Sequence, residues 1–413
     1  MNSFTSLRSP RFLIWLVGVS FVLFQFFLQL SSGVIIGAIM QETLISAFTA
    51  SLLSSAFYYI YTSLQIPAGM LFDRKNTQTI LTTTALICSI GCFIFANSMS
   101  IYLLFFGRIV IGMGSAFAFV GFSHLLREHF SLKQFGFLIG LSETLGFIAT
   151  MFGLIGLGIL VSYYGWREFI NSAALVGCLI AFFAWLFIPS SSSSQATHPI
   201  ARSLDAILRC KTQWINGSFA GLGFSVITVF GAMWAIPFIQ IKLACSLKEA
   251  SIIDAMLFLG AAISCPLFGY LNAHLKQRKP LMFIASILTS ILLYITLYFP
   301  YSDPVFMGSL FFLTGISCGS YMLSYTISNE ISPQGALSTS TGFTNTLAML
   351  TAPVFQLITG LLLDLYGGPE HHYSLESYQI ALAILPVNLL TAALLVYFLP
   401  EKDQGFNPSL RTK

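Results

Sequence analysis

Long apolar runs, broken by short polar segments, fill almost the whole chain. They fall at 12–37, 45–71, 78–97, 100–126, 133–162 and 167–189, and again at 213–239, 249–273, 281–299, 304–328, 336–363 and 377–399. Crossing a bilayer core of ~30 Å as a helix takes ~20 apolar residues, and each run is of that order. Unpaired backbone groups in lipid cost several kcal/mol each, so such runs must be helices or strands of a closed barrel. They are too long for the ~10-residue alternating strands of a barrel. The pattern predicts an all-α membrane protein with twelve transmembrane helices. The longest polar stretch, Pro189 to Pro199, contains five consecutive serines and reads as a flexible linker near the middle of the chain. The expected organisation is an N-terminal six-helix bundle over 1–189, a cytoplasmic linker over 190–211, a C-terminal six-helix bundle over 212–400 and a cytoplasmic tail over 401–413.

Composition agrees. Of 413 residues, 56% are hydrophobic and 8% charged, against about 25% charged in soluble domains. The net charge of +4 is scattered. No basic run interleaved with aromatics marks a nucleic-acid groove. The seven cysteines form no C-x-x-C pair, and Cys88 and Cys92 have no His or acid beside them, so buried free thiols are expected. There is no phosphate-cradling G-x-x-x-x-G-K-[ST] loop, no H-E-x-x-H and no convincing nucleophile–base pair. The chain is therefore expected to be neither an enzyme nor a primary pump, and to need no cofactor.

Charge also sets orientation. Arg8 and Arg11 precede the first apolar run, which is too long for a signal-peptide core and reads as a retained first helix. With both termini inside, fifteen basic residues fall on the cytoplasmic side: Arg8, Arg11, Arg74, Lys75, Arg127, Lys133, Arg202, Arg209, Lys211, Lys276, Arg278, Lys279, Lys402, Arg411 and Lys413. Arg167, Lys242 and Lys248 alone face outward, and Arg108 lies inside a span. The asymmetry follows the positive-inside rule and an even number of crossings.

An internal repeat is visible. Gly69-Met-Leu71 is matched 200 residues later by Gly269-Tyr-Leu271; Thr144-Leu145 and Tyr164-Gly165 are matched at an offset of 202 by Thr346-Leu347 and Tyr366-Gly367. Parallel six-helix repeats are a transporter architecture in which the solute site lies between the halves near the bilayer midplane.

The motif Gly69-x-Leu71-x-Asp73-Arg74 after the second span resembles the loop motif of the major facilitator superfamily. Asn76 and Gln78 depart from its usual Gly and basic residue. Arg108-Ile-Val-Ile-Gly112-Met-Gly114 resembles that family's R-x-x-x-G-x-G pattern, and Gly165-Trp166-Arg167 its entry to the sixth helix. The fifth span lacks the G-P pair common in antiporters of the family, which favours uptake over drug efflux. Tyr58-Tyr59-Ile60-Tyr61, Gln65 to Gly69 and Met233 to Phe238 resemble a bacterial subgroup that includes phagosomal amino-acid importers. Some of its relatives are similar to lysosomal dipeptide carriers. The resemblance implies a secondary transporter working by alternating access. It also implies a cytoplasmic gating latch in which Gly69, Asp73 and Arg74, completed by Arg127 or Glu128, meet the start of the eleventh helix between Gly335 and Ser340.

Charges inside the membrane are expensive and usually face a cavity. Arg108 lies in the fourth span. Glu143 lies in the fifth, ~15 Å deep at 1.5 Å per residue. Arg108 is placed to bind a carboxylate or phosphate, and Glu143 an amine or a coupling proton; the competing reading is that both are structural. Gln25 and Gln29 share a face of the first helix. Tyr58, Tyr61, Trp234 and Asn345, the counterpart of Glu143 at the 202-residue offset, complete the expected substrate and proton set. Asp254 is expected near the outer mouth, and Asp364 with Glu370-His371-His372 in an outer loop. The function expected is proton-coupled uptake of a small polar solute, an amino acid or short peptide. The partners expected are solute, lipid and protons, in a multi-pass plasma-membrane monomer (the inner membrane in a bacterium). The rivals are a carrier of organic anions or a siderophore, and a non-transporting receptor or assembly partner.

Overall fold

The computed structural model describes residues 11–30, 35, 39, 42–43, 47–190, 200–275, 277–333, 336–366 and 373–401. The readings placed on Arg8, on 191–199, on Gly335, on Glu370-His371-His372 and on the tail from 402 fall outside the described residues, as does the side chain of Asp364. The described residues are helical nearly throughout. In chain order the helices are α1 (Arg11–Leu30), α2 (Ala47–Phe72), α3 (Thr77–Ala96), α4 (Ile101–Ser115), α5 (Ala118–His129), α6 (Leu132–Tyr164), α7 (Trp166–Phe187), α8 (Ile200–Arg209) and α9 (Lys211–Ser225). They continue as α10 (Ala235–Leu243), α11 (Leu247–His274), α12 (Lys279–Tyr298), α13 (Pro304–Cys318), α14 (Leu323–Glu330), α15 (Leu337–Tyr366), α16 (Leu375–Leu382) and α17 (Ile384–Val396).

Among the described residues, ten helical segments are long and apolar enough to cross a membrane. Several comprise two helices end to end, such as α4 with α5 over 101–129 and α9 with α10 over 211–243. With α2 at 26 residues and α6 at 33, twelve rods follow one another, in register with the hydropathy pattern. Four rods are broken locally, one of them at Ala383 between α16 and α17. Val226–Trp234 between α9 and α10 is a π-helix. Pro237 explains it: proline lacks an N–H and crowds the carbonyl four residues back, here that of Met233, and π-turns recur where function needs an irregular helix. Gly319–Met322 between α13 and α14 is a 3-10 turn. Between α4 and α5 the two residues Ala116 and Phe117 separate the helices.

The chain divides into two compact units. The first comprises Met1–Ser142, Gly158–Ile207 and Ser332–Phe343; the second comprises Glu143–Leu157, Leu208–Ile331 and Thr344–Lys413. In the first unit, Gly165 (φ 81°) makes the turn between α6 and α7, a conformation that favours glycine. Trp166 and Arg167 follow it and close on Glu42: the indole Nε1 donates to Oε2 at 2.6 Å and the guanidinium to Oε1 at 2.8 Å. These donors hold the Glu42 carboxyl below its usual range, the Arg167 hydrogen bond first. Arg167 also donates to the carbonyls of Ala96 and Ser98, which caps the end of α3.

In the second unit, Ser246 and Glu249 form a capping box at the start of α11, and Asp303 caps α13 ahead of Pro304. Lys242 donates to the carbonyls of Thr296 and Leu297 and lies 4.2 Å from the centre of the Tyr301 ring. Helices α11 and α13 pack with Gly260 and Gly315 at the crossing. A Cβ on Gly315 would meet the Leu257 carbonyl, and one on Gly260 the Phe312 carbonyl. Small residues let helices approach this closely in lipid. Replacing either glycine by valine is expected to cost ~1–3 kcal/mol by overpacking. A lower unfolding temperature in detergent checks this; an unchanged one contradicts the described crossing.

Candidate functional site

Polar side chains are brought together within each unit. In the first, α1, α2 and α4 meet around a buried polar cluster. Gln25 donates to Gln29 at 2.6 Å, as i, i+4 spacing allows, and Gln29 to the Tyr58 hydroxyl at 3.4 Å. Arg108, 4% exposed, donates to the Leu28 carbonyl at 2.9 Å. Its guanidinium lies 4.9 Å from the centre of the Phe57 ring, a cation–π geometry. Tyr61 stacks on the same Phe57 ring, with centroids 5.5 Å apart. Five expected residues, Gln25, Gln29, Tyr58, Tyr61 and Arg108, thus form one constellation.

The residues expected to form the latch make a second constellation in the same unit. Asp73 lies in the turn after α2 and accepts three hydrogen bonds at the start of α15: from the N–H of Ser338 at 3.2 Å, the N–H of Thr339 at 3.0 Å and the Thr339 hydroxyl at 2.7 Å. A carboxylate there satisfies donors that no helical carbonyl can reach and complements the positive end of the helix dipole. Gly69 makes the approach possible: a Cβ there would lie 2.5 Å from the Ser338 carbonyl oxygen and 2.7 Å from Thr339 Cα. Arg127 donates to the Thr341 hydroxyl at 3.0 Å and to Ser123. Glu128 turns to His124, 3.3 Å away, and His124 reaches the Ser338 hydroxyl at 2.8 Å through its other nitrogen. Arg74 follows Asp73 in the turn, half-buried, its N–H donating to the Leu71 carbonyl. Sequence reasoning passed over His124. Its spacing from Arg127 and Glu128, i+3 and i+4, was the available signal.

In the second unit Glu143 is buried, 5% exposed, on α6. Among the described residues it makes no ion pair or hydrogen bond, while Thr144 beside it donates to the Ala262 carbonyl of α11 at 2.6 Å. Asn345 accepts from the Tyr325 hydroxyl at 2.8 Å. Trp234 ends the π-helix, edge-on to Tyr378 at 6.5 Å, and its indole N–H meets no acceptor among the described residues. No group of three His, Cys, Asp or Glu side chains suited to a metal occurs among the described residues.

The sequence profile described as Major Facilitator Superfamily matches twice, over residues 14–217 and again over 214–412, so each half carries its pattern. The chain belongs to the major facilitator superfamily, a family of membrane transporters. Among curated relatives, the "uncharacterized transporter YybO" of Bacillus subtilis (strain 168) is 24% identical over 166 residues, 40% of this chain and 38% of that protein. The multidrug resistance protein MdtG of Proteus mirabilis (strain HI4320) is 27% identical over 269 residues, 62% of this chain and 64% of that protein. Both matches thus span less than two thirds of the relative. A crystal structure of a bacterial homologue of the human lysosomal transporter Spinster, inward-facing and unoccupied, shares the fold. The TM-score is 0.68 with 19% identity, over 94% of this chain and 96% of that one.

Proposed function

We propose that this protein is a secondary active transporter that takes up a small polar solute by alternating access, with protons as the coupling ion. The observation that carries the proposal is Glu143, a buried carboxyl group on a membrane-spanning helix with no cation or hydrogen-bond donor bound to it among the described residues. Several kcal/mol are needed to keep a lone carboxylate in such a place, and a functional ligand offsets that cost. An amine or a proton is that ligand here. Arg108, with Gln25, Gln29 and Tyr58, supplies the opposite polarity, a guanidinium suited to a carboxylate. A guanidinium among amide and phenol groups suits the carboxylate of an amino acid or short peptide, while Glu143 carries the coupling proton. The bundles 1–189 and 212–400, joined through 190–211, are the moving parts, with both termini cytoplasmic in the plasma membrane. The protein works as a monomer, and the Asp73 constellation is its cytoplasmic latch.

The relationship to MdtG favours a second reading, drug efflux. A carrier of organic anions or a siderophore differs from the proposal in accepting solutes without an amine. A receptor differs in binding solute without flux.

Purified protein in liposomes separates these readings. Labelled amino acids and dipeptides are expected to exchange by counterflow and to accumulate when the outside is acidic. Glu143→Gln is expected to retain counterflow and to lose pH-driven accumulation by about tenfold or more, the scale of ordinary site–site coupling. Unchanged pH-driven accumulation in Glu143→Gln overturns proton coupling through this residue. Competition by amine-free acids, or binding without exchange, selects the anion carrier or the receptor instead.

A further inference from the structure

A second carboxyl group in the second unit is more completely isolated than Glu143. Asp254 lies on α11, seven residues after Leu247, and is 0% exposed. Neither of its carboxylate oxygens has a hydrogen-bond partner among the described residues. One and two turns further along α11 that helix meets α6. The Thr144 hydroxyl meets the Ala262 carbonyl, and the rings of Phe147 and Phe258 meet with centroids 6.4 Å apart. Numbers rise along α6 as they fall along α11, so the two helices run antiparallel. Positions 254, 258 and 262 recur at i+4 and share one face of α11, as 143 and 147 do on α6. Asp254 therefore stands one turn beyond the aromatic pair and Glu143 one turn before it. The rise from 254 to 262 along α11 is ~12 Å.

Charged and titratable groups on the elements around α11 are engaged elsewhere. Lys242 of α10 is bound to the Thr296 and Leu297 carbonyls and to Tyr301. Asp303 caps α13 through the N–H groups of Val305 and Phe306. Glu249 closes its capping box on Ser246, and Lys248 is exposed beside it. Glu330, at the end of α14, pairs with Arg278. Tyr378 of α16 packs on Phe238 and Trp234. Cys265 of α11, and Cys318 and Tyr321 beside the Ser264–Ile316 contact, lie toward the other end of α11. None of these groups is bonded to Asp254. No group of three His, Cys, Asp or Glu side chains suited to a metal lies there among the described residues, whereas a proton needs only one oxygen.

We propose that Asp254 is a second proton-binding site of the carrier, near the Leu247 end of α11 and one turn from the Phe147–Phe258 pair. The proton adds to a carboxylate oxygen and leaves from it, so only an O–H bond forms and breaks. The assignment rests on the proposed proton coupling of the carrier and not on the role of Glu143.

Infrared difference spectra of purified wild type, Asp254→Asn and Glu143→Gln across pH test the assignment without transport. A protonated-carboxyl band that titrates in wild type and in Glu143→Gln, and is missing from Asp254→Asn, is expected. In liposomes Asp254→Asn is expected to keep counterflow and to lose pH-driven accumulation by about tenfold, with recovery in Asp254→Glu. Absence of a titrating band assignable to Asp254, or wild-type pH dependence in Asp254→Asn, overturns the proposal, as does a sodium requirement that vanishes in that variant. If Glu143→Gln keeps its pH dependence while Asp254→Asn loses it, the role of Glu143 falls and Asp254 stands as the proton site.

Discussion

Arg108→Ala is expected to lower solute affinity about 100-fold, because it removes the charge-assisted hydrogen bonding to the solute carboxylate, ~1.5–3 kcal/mol. The guanidinium now rests on the Leu28 carbonyl and the Phe57 ring, inside a cluster with Gln25, Gln29 and Tyr58. A solute carboxylate would pair with the guanidinium. Arg108→Lys is not expected to restore binding, because an ammonium group offers neither the planar fork nor the same stacking on Phe57. The concentration dependence of counterflow, together with the unfolding temperature, checks this. A lost affinity with an unfolding temperature near wild type supports a role in binding. A large drop in unfolding temperature with affinity intact would show that Arg108 holds α1 to α4 and nothing more.

Asp73→Asn is expected to slow turnover about tenfold while leaving solute affinity within about twofold, since each hydrogen bond to the carboxylate is worth ~1.5–3 kcal/mol and the amide keeps one acceptor oxygen. Asp73 binds two backbone N–H groups and one hydroxyl at the start of α15, a place that favours negative charge. Gly69→Val should damage turnover at least as much. The atoms its side chain would meet are the carbonyl of Ser338 and the Cα of Thr339, backbone rather than flexible side-chain ends. Separate measurement of maximal rate and half-saturation in liposomes distinguishes the outcomes. A pure loss of affinity in Asp73→Asn contradicts the latch.

Hydropathy alone made the twelve rods legible, because lipid demands long apolar helices and tolerates little else. The motif residues were legible for a related reason: a glycine, a carboxylate or a guanidinium in or beside such a helix is costly unless it has a task. Local breaks were harder to foresee. The π-helix at Val226–Trp234 follows from Pro237, yet a proline in a helix often produces only a kink. Helix α8 lay in a segment read as linker, although Ile200, Leu204, Ile207 and Leu208 carry the i, i+4, i+7, i+8 spacing of an amphipathic helix. Neither the closure of Glu42 on Trp166 and Arg167 nor the part played by His124 was legible, since both join residues far apart in the chain. The isolation of Asp254 could not be read either. Sequence places Lys242 only twelve residues before it, and only the fold shows that ammonium engaged elsewhere.

Solute-driven proton movement is the most direct test of the account. Liposomes carrying the purified protein and a trapped pH dye are given amino acids and dipeptides from outside, with no preset gradient. The interior is predicted to acidify in step with solute entry, saturably, and Glu143→Gln should abolish the acidification while solute still exchanges. Solute entry with no change in internal pH, or acidification undiminished in Glu143→Gln, would contradict the account.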